Sequence, residues 1–250
     1  MKHLRNPNAM ENPLVPIALD EPFEFACSPQ VPCFNACCRD LNQFLTPYDI
    51  LRLKTGLGMS SGRFLETYTS LHTGPETGLP VITLTPAQTD ERECPFLTAA
   101  GCRVYADRPA SCRMYPIARA VTRSRETGRL TEHYALLKEP HCLGFRQGKP
   151  RTVRQWLADQ GLEPYNRYND LMMEIISLKN SRRPGPLDMA SRHCLYLALY
   201  DLDAFRTSIR DGGLLENHPV AEAEMAAAAT DDLALLKLGL NWLKQTLFDQ

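Results

Sequence analysis

The sequence predicts an α+β protein, in which an irregular cysteine-rich metal-binding module with short helices and a small β-hairpin precedes a mostly helical C-terminal half. Two observations predict this class. Eight of the nine cysteines lie between Cys27 and Cys142, in segments interrupted by proline and glycine. After Pro150, apolar residues recur at helical spacing. With 250 residues, of which 44% are hydrophobic and 23% charged, the chain is long enough and apolar enough for a folded core.

The first elements are predicted from proline and capping residues. Residues 1–26 contain four prolines among polar residues and are expected to form an extended N-terminal arm. Residues 27–40 contain two prolines and no apolar periodicity, which predicts a loop. Thr46 as N-cap and Pro47 at the first helical position then predict the start of a helix.

The middle of the chain is predicted to contain a further helix and several short strands. Ser60 or Ser61 is expected to cap a helix that runs to about Leu71. The β-branched run 81–85 predicts a strand, and residues 118–122 and 130–136 predict the two arms of a hairpin.

The remainder is predicted to be helical. Thr152 is expected to cap a helix, and residues 168–179 and 187–209 each carry a helical apolar pattern. An Ala- and Leu-rich helix over about 226–247 is expected to end the chain. These features predict three parts: an extended arm over 1–26, a cysteine-cluster metal-binding domain over 27–150, and a helical subdomain over 151–250.

The role of the cysteines depends on the compartment. The first ten residues are polar and interrupted by proline, so we expect no secretory signal. No apolar run reaches the roughly 20 residues that a membrane span needs. We therefore expect a cytoplasmic protein without membrane contact. Thiols stay reduced in the cytoplasm, where clustered cysteines bind metal more often than they form disulfides.

The spacing of the cysteines differs from that of a zinc finger. Five residues separate Cys27 from Cys33, three separate Cys33 from Cys37, and Cys38 follows directly. Adjacent side chains in a loop tend to point in different directions, and eight thiols exceed the four that one tetrahedral ion uses. Both facts favour a polynuclear cluster or two sites, and they leave the choice between iron and zinc open.

The eight clustered cysteines are the predicted metal ligands, whereas the ninth, Cys194, is expected to pack in the helical core. The predicted ligands are Cys27, Cys33, Cys37, Cys38, Cys94, Cys102, Cys112 and Cys142. Arg113 and Tyr115, which flank the seventh of these, are predicted to bind the cofactor, because cations and hydrogen-bond donors stabilise a negatively charged thiolate centre. The alternative is that Arg113 and Tyr115 only pack.

Three stretches of the sequence match a known pattern. They are Cys94-Pro-Phe-Leu97, Cys102-Arg-Val-Tyr105 and Arg108-Pro-Ala-Ser-Cys-Arg-Met-Tyr-Pro116. With the vicinal cysteines and Thr-Pro-Tyr-Asp-Ile at 46–50, they resemble the YkgJ-type cysteine-cluster family, described as a zinc- or iron-chelating domain. The resemblance covers about residues 25–148. It departs from the family pattern at the start, where the spacing of Cys27 and Cys33 is wider.

The resemblance implies metal or iron–sulfur binding and no particular reaction. We favour an iron–sulfur cluster of the 4Fe–4S type, in a redox or sensing role, with zinc in a structural or interaction module as the alternative. The cysteine pattern is also similar to that of the flagellin lysine-N-methylases, which leaves open a cluster-dependent enzyme such as a protein lysine methylase. The predicted partner is a protein or redox partner of unknown identity. The net charge of −1 argues against nucleic acid.

Overall fold

The computed structural model describes residues 14–124, 126–216 and 218–248. The strands among them are Leu14–Ile17 (β1), Pro22–Phe25 (β2), Phe44–Leu45 (β3), Thr69–Thr73 (β4), Pro80–Leu84 (β5), Leu97–Thr98 (β6), Gly101–Cys102 (β7), Ile117–Arg123 (β8), Leu130–Leu137 (β9) and Phe145–Thr152 (β10). The α-helices among them are Pro47–Gly56 (α1), Ser61–Tyr68 (α2), Ala110–Met114 (α3), Val153–Asp159 (α4), Glu163–Arg182 (α5), Met189–Leu199 (α6), Leu202–Gly212 (α7), Glu222–Thr230 (α8) and Asp232–Phe248 (α9). The prediction of a mixed α+β fold with a helical C-terminal half is confirmed.

The chain divides into two compact units. The first unit consists of the residues up to Cys37 together with Ser111–Leu162, and the second consists of Cys38–Ala110 together with the chain from Glu163 onward. The vicinal cysteines are therefore divided between the units. The domain boundaries at residues 26 and 150 stay a prediction.

Antiparallel strands build the first unit. Strands β1, β9 and β8 form one sheet in that order, and the predicted β8–β9 hairpin is confirmed. Strand β2 pairs with β10 in a second, two-stranded sheet. The described part of the predicted N-terminal arm, residues 14–26, thus includes two paired strands, whereas residues 1–13 lie outside the described residues.

Aromatic rings form the core beneath the β2–β10 sheet. The ring of Phe25 meets those of Tyr115, Phe145 and Trp156 edge-on, with centroid distances of 5.8, 5.3 and 5.7 Å. Edge-to-face packing of this kind is favourable beyond the area it buries. The Trp156 indole N–H donates to the carbonyl of Met114 at 3.2 Å, so the buried polar atom is satisfied. The predicted cap of α4 by Thr152 is confirmed.

The second unit begins with the predicted Thr46–Pro47 helix start, which is also confirmed. Thr46 and Asp49 form a reciprocal capping box at the first turn of α1. The other carboxylate oxygen of Asp49 accepts the backbone N–H of Ala110 at 2.8 Å, and the residue is 1% exposed. A single buried carboxylate therefore caps α1 and fixes the chain near residue 110. This unit also contains the sheet β3–β5–β4 and the short β6–β7 hairpin.

Three predicted helices differ in the structure. The helix from Ser61 ends at Tyr68, and the following residues form β4 instead of a last helical turn. The run 187–209 is two helices, because Asp201 accepts the N–H of Ala204 and caps a new start. In the same way Asp231 separates α8 from α9 and accepts the N–H of Leu233 at 2.7 Å. No helix within the described residues has both the length and the apolar character needed to cross a membrane.

A buried ionic network links α1, α7 and α9 in the second unit. The Lys54 ammonium lies 3.3 Å from a carboxylate oxygen of Asp203 and 2.5 Å from one of Asp232, and its side chain is 7% exposed. Arg206 bonds the same two carboxylates at 3.1 and 2.5 Å. Burial opposes ionisation of Asp232, but its bonds to Arg206 and Lys54 hold the pKa of that carboxyl below its usual value. Two cations and two carboxylates thus balance one another around the buried Lys54 ammonium, while the other three side chains are half-buried.

Replacing Lys54 by methionine tests this network. Removing one partner of a buried ion pair leaves uncompensated charge, so we expect Lys54→Met to lower the free energy of unfolding by about 3–5 kcal/mol. Urea denaturation measures the loss. Lys237→Met on the exposed face of α9 is the control, with an expected change within about 0.5 kcal/mol. Equal losses in the two variants would contradict the role given to the network.

Candidate metal centre

The cysteine loop is wound by consecutive tight turns. Backbone hydrogen bonds join Val31 to Ser28, Phe34 to Val31 and Ala36 to Cys33 at 2.9 Å each. Asn35 has a φ of 70°, a left-handed conformation that asparagine tolerates better than most residues. Residues Ala36–Cys38 complete the loop as a 3-10 turn. The winding lets cysteines separated by five and three residues face a common space.

That space is a small cavity in the first unit, with a volume of about 20 Å³. Four of the predicted ligands line it, and they come from two segments more than a hundred residues apart: Cys27, Cys33, Cys37 and Cys142. The wall also includes Phe25, Tyr115 and His141. Cys27 and Cys37 are exposed, whereas Cys33 and Cys142 are half-buried. The cavity therefore has an apolar aromatic floor and a rim open to solvent.

Backbone contacts bring the second segment to the loop. The N–H of Ala26 donates to the carbonyl of Gly144 at 3.1 Å, and the N–H of Leu143 donates to the Cys33 Sγ at 3.1 Å. A Cβ at Gly144 would lie 2.5 Å from the carbonyl oxygen of Ala26, so only glycine allows this approach. The amide of Leu143 already makes the kind of N–H to sulfur bond that stabilises a thiolate.

Tyr115 brings a hydroxyl to the same cavity. The oxygen is buried, and although Cys142 and Glu139 are its neighbours, no described residue makes a hydrogen bond of normal geometry with it. Burial raises the pKa of Tyr115 far above its ordinary value, and the neighbouring Cys142 and Glu139 raise it further. A buried hydroxyl without a partner is costly, and a nearby sulfur acceptor would satisfy it.

Three other predicted ligands belong to the second unit: Cys38, Cys94 and Cys102. The N–H of Cys94 donates to the carbonyl of Cys38 at 2.8 Å, which joins the two backbones. Arg39, next to Cys38, forms ion pairs with Glu91 and Glu93. Burial raises the pKa of the Cys102 thiol, although the amide of Val104 and nearby arginines oppose the shift.

The remaining predicted site residues lie away from the cavity wall. Cys112 is exposed on α3. The Arg113 guanidinium donates to the carbonyl of Gln160 at 2.9 Å, at the C-terminal end of α4, where a cation is favourable. Cys194 lies half-buried on α6 in the second unit, and burial raises the pKa of its thiol.

The donor set fits a soft metal. Within the described residues, no three His, Cys, Asp or Glu side chains are grouped tightly enough to hold an ion in their present positions. Binding of a single ion therefore requires the four thiols to close toward the centre of their cavity. Four thiolates with an aromatic floor, an amide donor and a free hydroxyl suit zinc, copper(I) or an iron–sulfur cluster.

Two contributors to the site were not predicted from the sequence. The Leu143 N–H is a backbone group and leaves no side-chain signal. The role of Gly144 depends on its approach to a residue 118 positions away in the chain, although the Cys-Leu-Gly-Phe run at 142–145 marks a turn.

One of the comparisons with known proteins found a match. Residues 26–142 match the family model described as "CxxCxxCC: Putative zinc- or iron-chelating domain", a stretch that begins one residue before Cys27 and ends at Cys142. No curated protein and no solved structure matches the chain. Residues 26–142, a stretch shorter than half of the chain, therefore resemble the domains of the CxxCxxCC family.

Proposed function

We propose that the first unit holds an iron–sulfur cluster through Cys27, Cys33, Cys37 and Cys142, and that the protein uses it in electron transfer or redox sensing. The observation that carries the proposal is the single cavity lined by these four thiols. The family supports metal binding in general, and the choice of an iron–sulfur cluster is our inference. When bound, such a cluster supplies one-electron chemistry.

The donors around the cavity support a cluster that changes charge. Four thiolates make the site strongly negative, and hydrogen bonds to sulfur are one of the means by which proteins adjust the potential of such a site. Leu143 donates such a bond to Cys33. The Tyr115 hydroxyl is available for a second bond, and Cys142 is its neighbour. Hydrogen bonds from these two groups would stabilise the sulfur atoms of a bound thiolate centre.

Exposure of the rim favours a redox role over a purely structural one. Structural zinc sites are closed on all sides by their ligands. Here Cys27, Cys37 and His141 are exposed, so one edge of the cavity reaches the protein surface. Electrons can reach a centre at the surface without a conformational change.

Zinc is the second candidate, and the volume of the cavity favours it. About 20 Å³ is the space of one small ion or one water molecule. An iron–sulfur cluster requires the loop 27–38 or the segment after Cys142 to move outward. Zinc bound by the same four thiolates would replace missing apolar core in the first unit.

We propose that the other predicted ligands also take part in metal binding. Cys38, Cys94 and Cys102 all belong to the second unit, and we propose them as the ligands of a further site there. Cys112 and Arg113 follow one another on α3 in the first unit, where they could supply an additional thiolate and a cation. Adjacent side chains in a loop tend to point in different directions, and eight thiols exceed the four that one tetrahedral ion uses, so we favour two centres over one mononuclear site.

Metal and acid-labile sulfide analysis of protein purified without oxygen tests the proposal. We expect iron and sulfide in equal amounts and absorbance in the visible range. Stoichiometric zinc without sulfide in colourless protein would contradict the iron–sulfur proposal and support the structural zinc site.

Cysteine substitutions test the ligand set. We expect Cys33→Ser and Cys142→Ser each to lose the metal of the first unit and to lower the melting temperature, because metal affinity there is also folding free energy. Cys194→Ser is the matched control, with metal content unchanged. Full metal content in both ligand variants would show that the cavity is not the site.

Tyr115→Phe tests the hydroxyl. The substitution keeps the ring against Phe25 and removes only the donor, so we expect metal affinity to fall about 10–100-fold and the reduction potential of an iron centre to become more negative. Tyr134→Phe on β9 is the control. If affinity and potential match those of the wild type, Tyr115 only packs.

A further inference from the structure

Strand β10 contains a four-residue bulge beside the cysteine cavity. The register with β2 shifts between Phe145, which faces Phe25, and Pro150, which faces Glu24. Within the bulge, Arg146 has a φ of 63° and Gly148 a φ of 85°. A left-handed arginine is uncommon and costs free energy, and bulges often redirect side chains next to functional sites.

The bulge packs on the residues that lead into the cavity. A Cβ at Gly148 would lie 3.2 Å from the methyl group of Ala26, which precedes Cys27. On the other side of Phe145, the Leu143 side chain is 51% exposed while its amide donates to the Cys33 sulfur. Leu143 thus presents an exposed apolar side chain while its backbone is hydrogen-bonded to the candidate ligand Cys33.

Three exposed cations flank Leu143 in the chain: Lys138, Arg146 and Lys149. None has an ion-pair partner among the described residues, and the Lys138 ammonium lies 5.9 Å from the centre of the Phe145 ring. The neighbouring arginines differ, because Arg151 pairs with Asp159 at 3.1 Å and Arg154 with Asp20 at 2.8 Å. Among the acids of the flanking segments, Glu139 lies 3.5 Å from His141 and Glu24 is exposed on β2.

We propose that Leu143, Lys138, Arg146 and Lys149 form a docking surface for an acidic face of a partner protein, next to the candidate centre. The location beside a metal centre rests on the proposed function, whereas the surface itself does not. Complementary charge guides partners to such a surface and sets its specificity, and an apolar residue with a charged rim is the usual composition of a docking patch.

The test uses poly-L-glutamate carrying a fluorescent label as the acidic probe, with fluorescence anisotropy as the readout. The wild type is compared with Arg146→Glu/Lys149→Glu and with a control of equal net charge, Arg123→Glu/Arg129→Glu on the β8–β9 hairpin. Binding is measured at an ionic strength of about 0.01 M, where screening is weak, and at about 0.15 M. Circular dichroism and metal content are recorded for every protein.

We expect the bulge variant to bind the probe at least about tenfold more weakly than the control does, with a difference that shrinks as salt is added. Equal losses of probe affinity in the two double variants would overturn the proposed surface, because the affinity would then depend only on the net charge of the protein. Tighter binding of a single-stranded oligonucleotide at matched probe charge would overturn the choice of a protein partner. Should the bulge variant lose its native circular dichroism, Arg146→Gln/Lys149→Gln replaces it with the same expected direction.

The metal measurement separates this proposal from the previous one. Selective loss of probe binding in wild-type-like protein without metal would support the docking surface and overturn the proposed function. Metal-loaded protein with no selectivity between the two double variants would overturn the docking surface alone.

Discussion

The candidate centre depends on the pairing of β2 with β10. This pairing places the chain entering the cysteine loop against the chain leaving Cys142, and the Ala26–Gly144 hydrogen bond fixes the junction. Without it, three thiols of the loop and the fourth thiol would be on unconnected segments. Bringing distant segments together costs chain entropy, so the pairing must be stabilised by packing that does not itself require the metal.

That packing comes from the aromatic core. Phe25 lies in β2, and its side chain lines the cavity. The rings of Tyr115, Phe145 and Trp156 all pack against it. The same ring therefore supports the sheet and excludes water from the base of the thiol site. A low-polarity base strengthens the attraction between thiolates and a metal cation. It also raises the free-energy cost of a buried hydroxyl that lacks a hydrogen-bond partner, such as that of Tyr115.

Local signals in the sequence predicted the elements that depend on neighbouring residues. The caps at Thr46, Ser60 and Thr152 and the β8–β9 hairpin are of this kind. The density of cysteines is also visible in the sequence alone, and it predicted a metal site. Helix breaks at Asp201 and Asp231 were missed because apolar periodicity continues across them, while an aspartate cap starts a new helix.

Other features of the site could not be predicted, because they arise from contacts between distant segments. The Leu143 amide on the Cys33 sulfur has no side-chain signature. The sequence predicted eight ligands without dividing them, and it gave no reason to group Cys142 with the loop rather than with Cys112. The bulge at Arg146 likewise depends on the register between β2 and β10. The basic residues at 146–154 do not by themselves predict that register.

The central claim is that the four thiols of the first unit hold the metal, and thiol protection tests it most directly. Metal-loaded protein and chelator-treated protein are alkylated for a short time, and each cysteine is quantified by mass spectrometry. The account predicts that Cys27, Cys33, Cys37 and Cys142 are modified slowly with metal and rapidly without it. Equal rates for these four in both samples would contradict it.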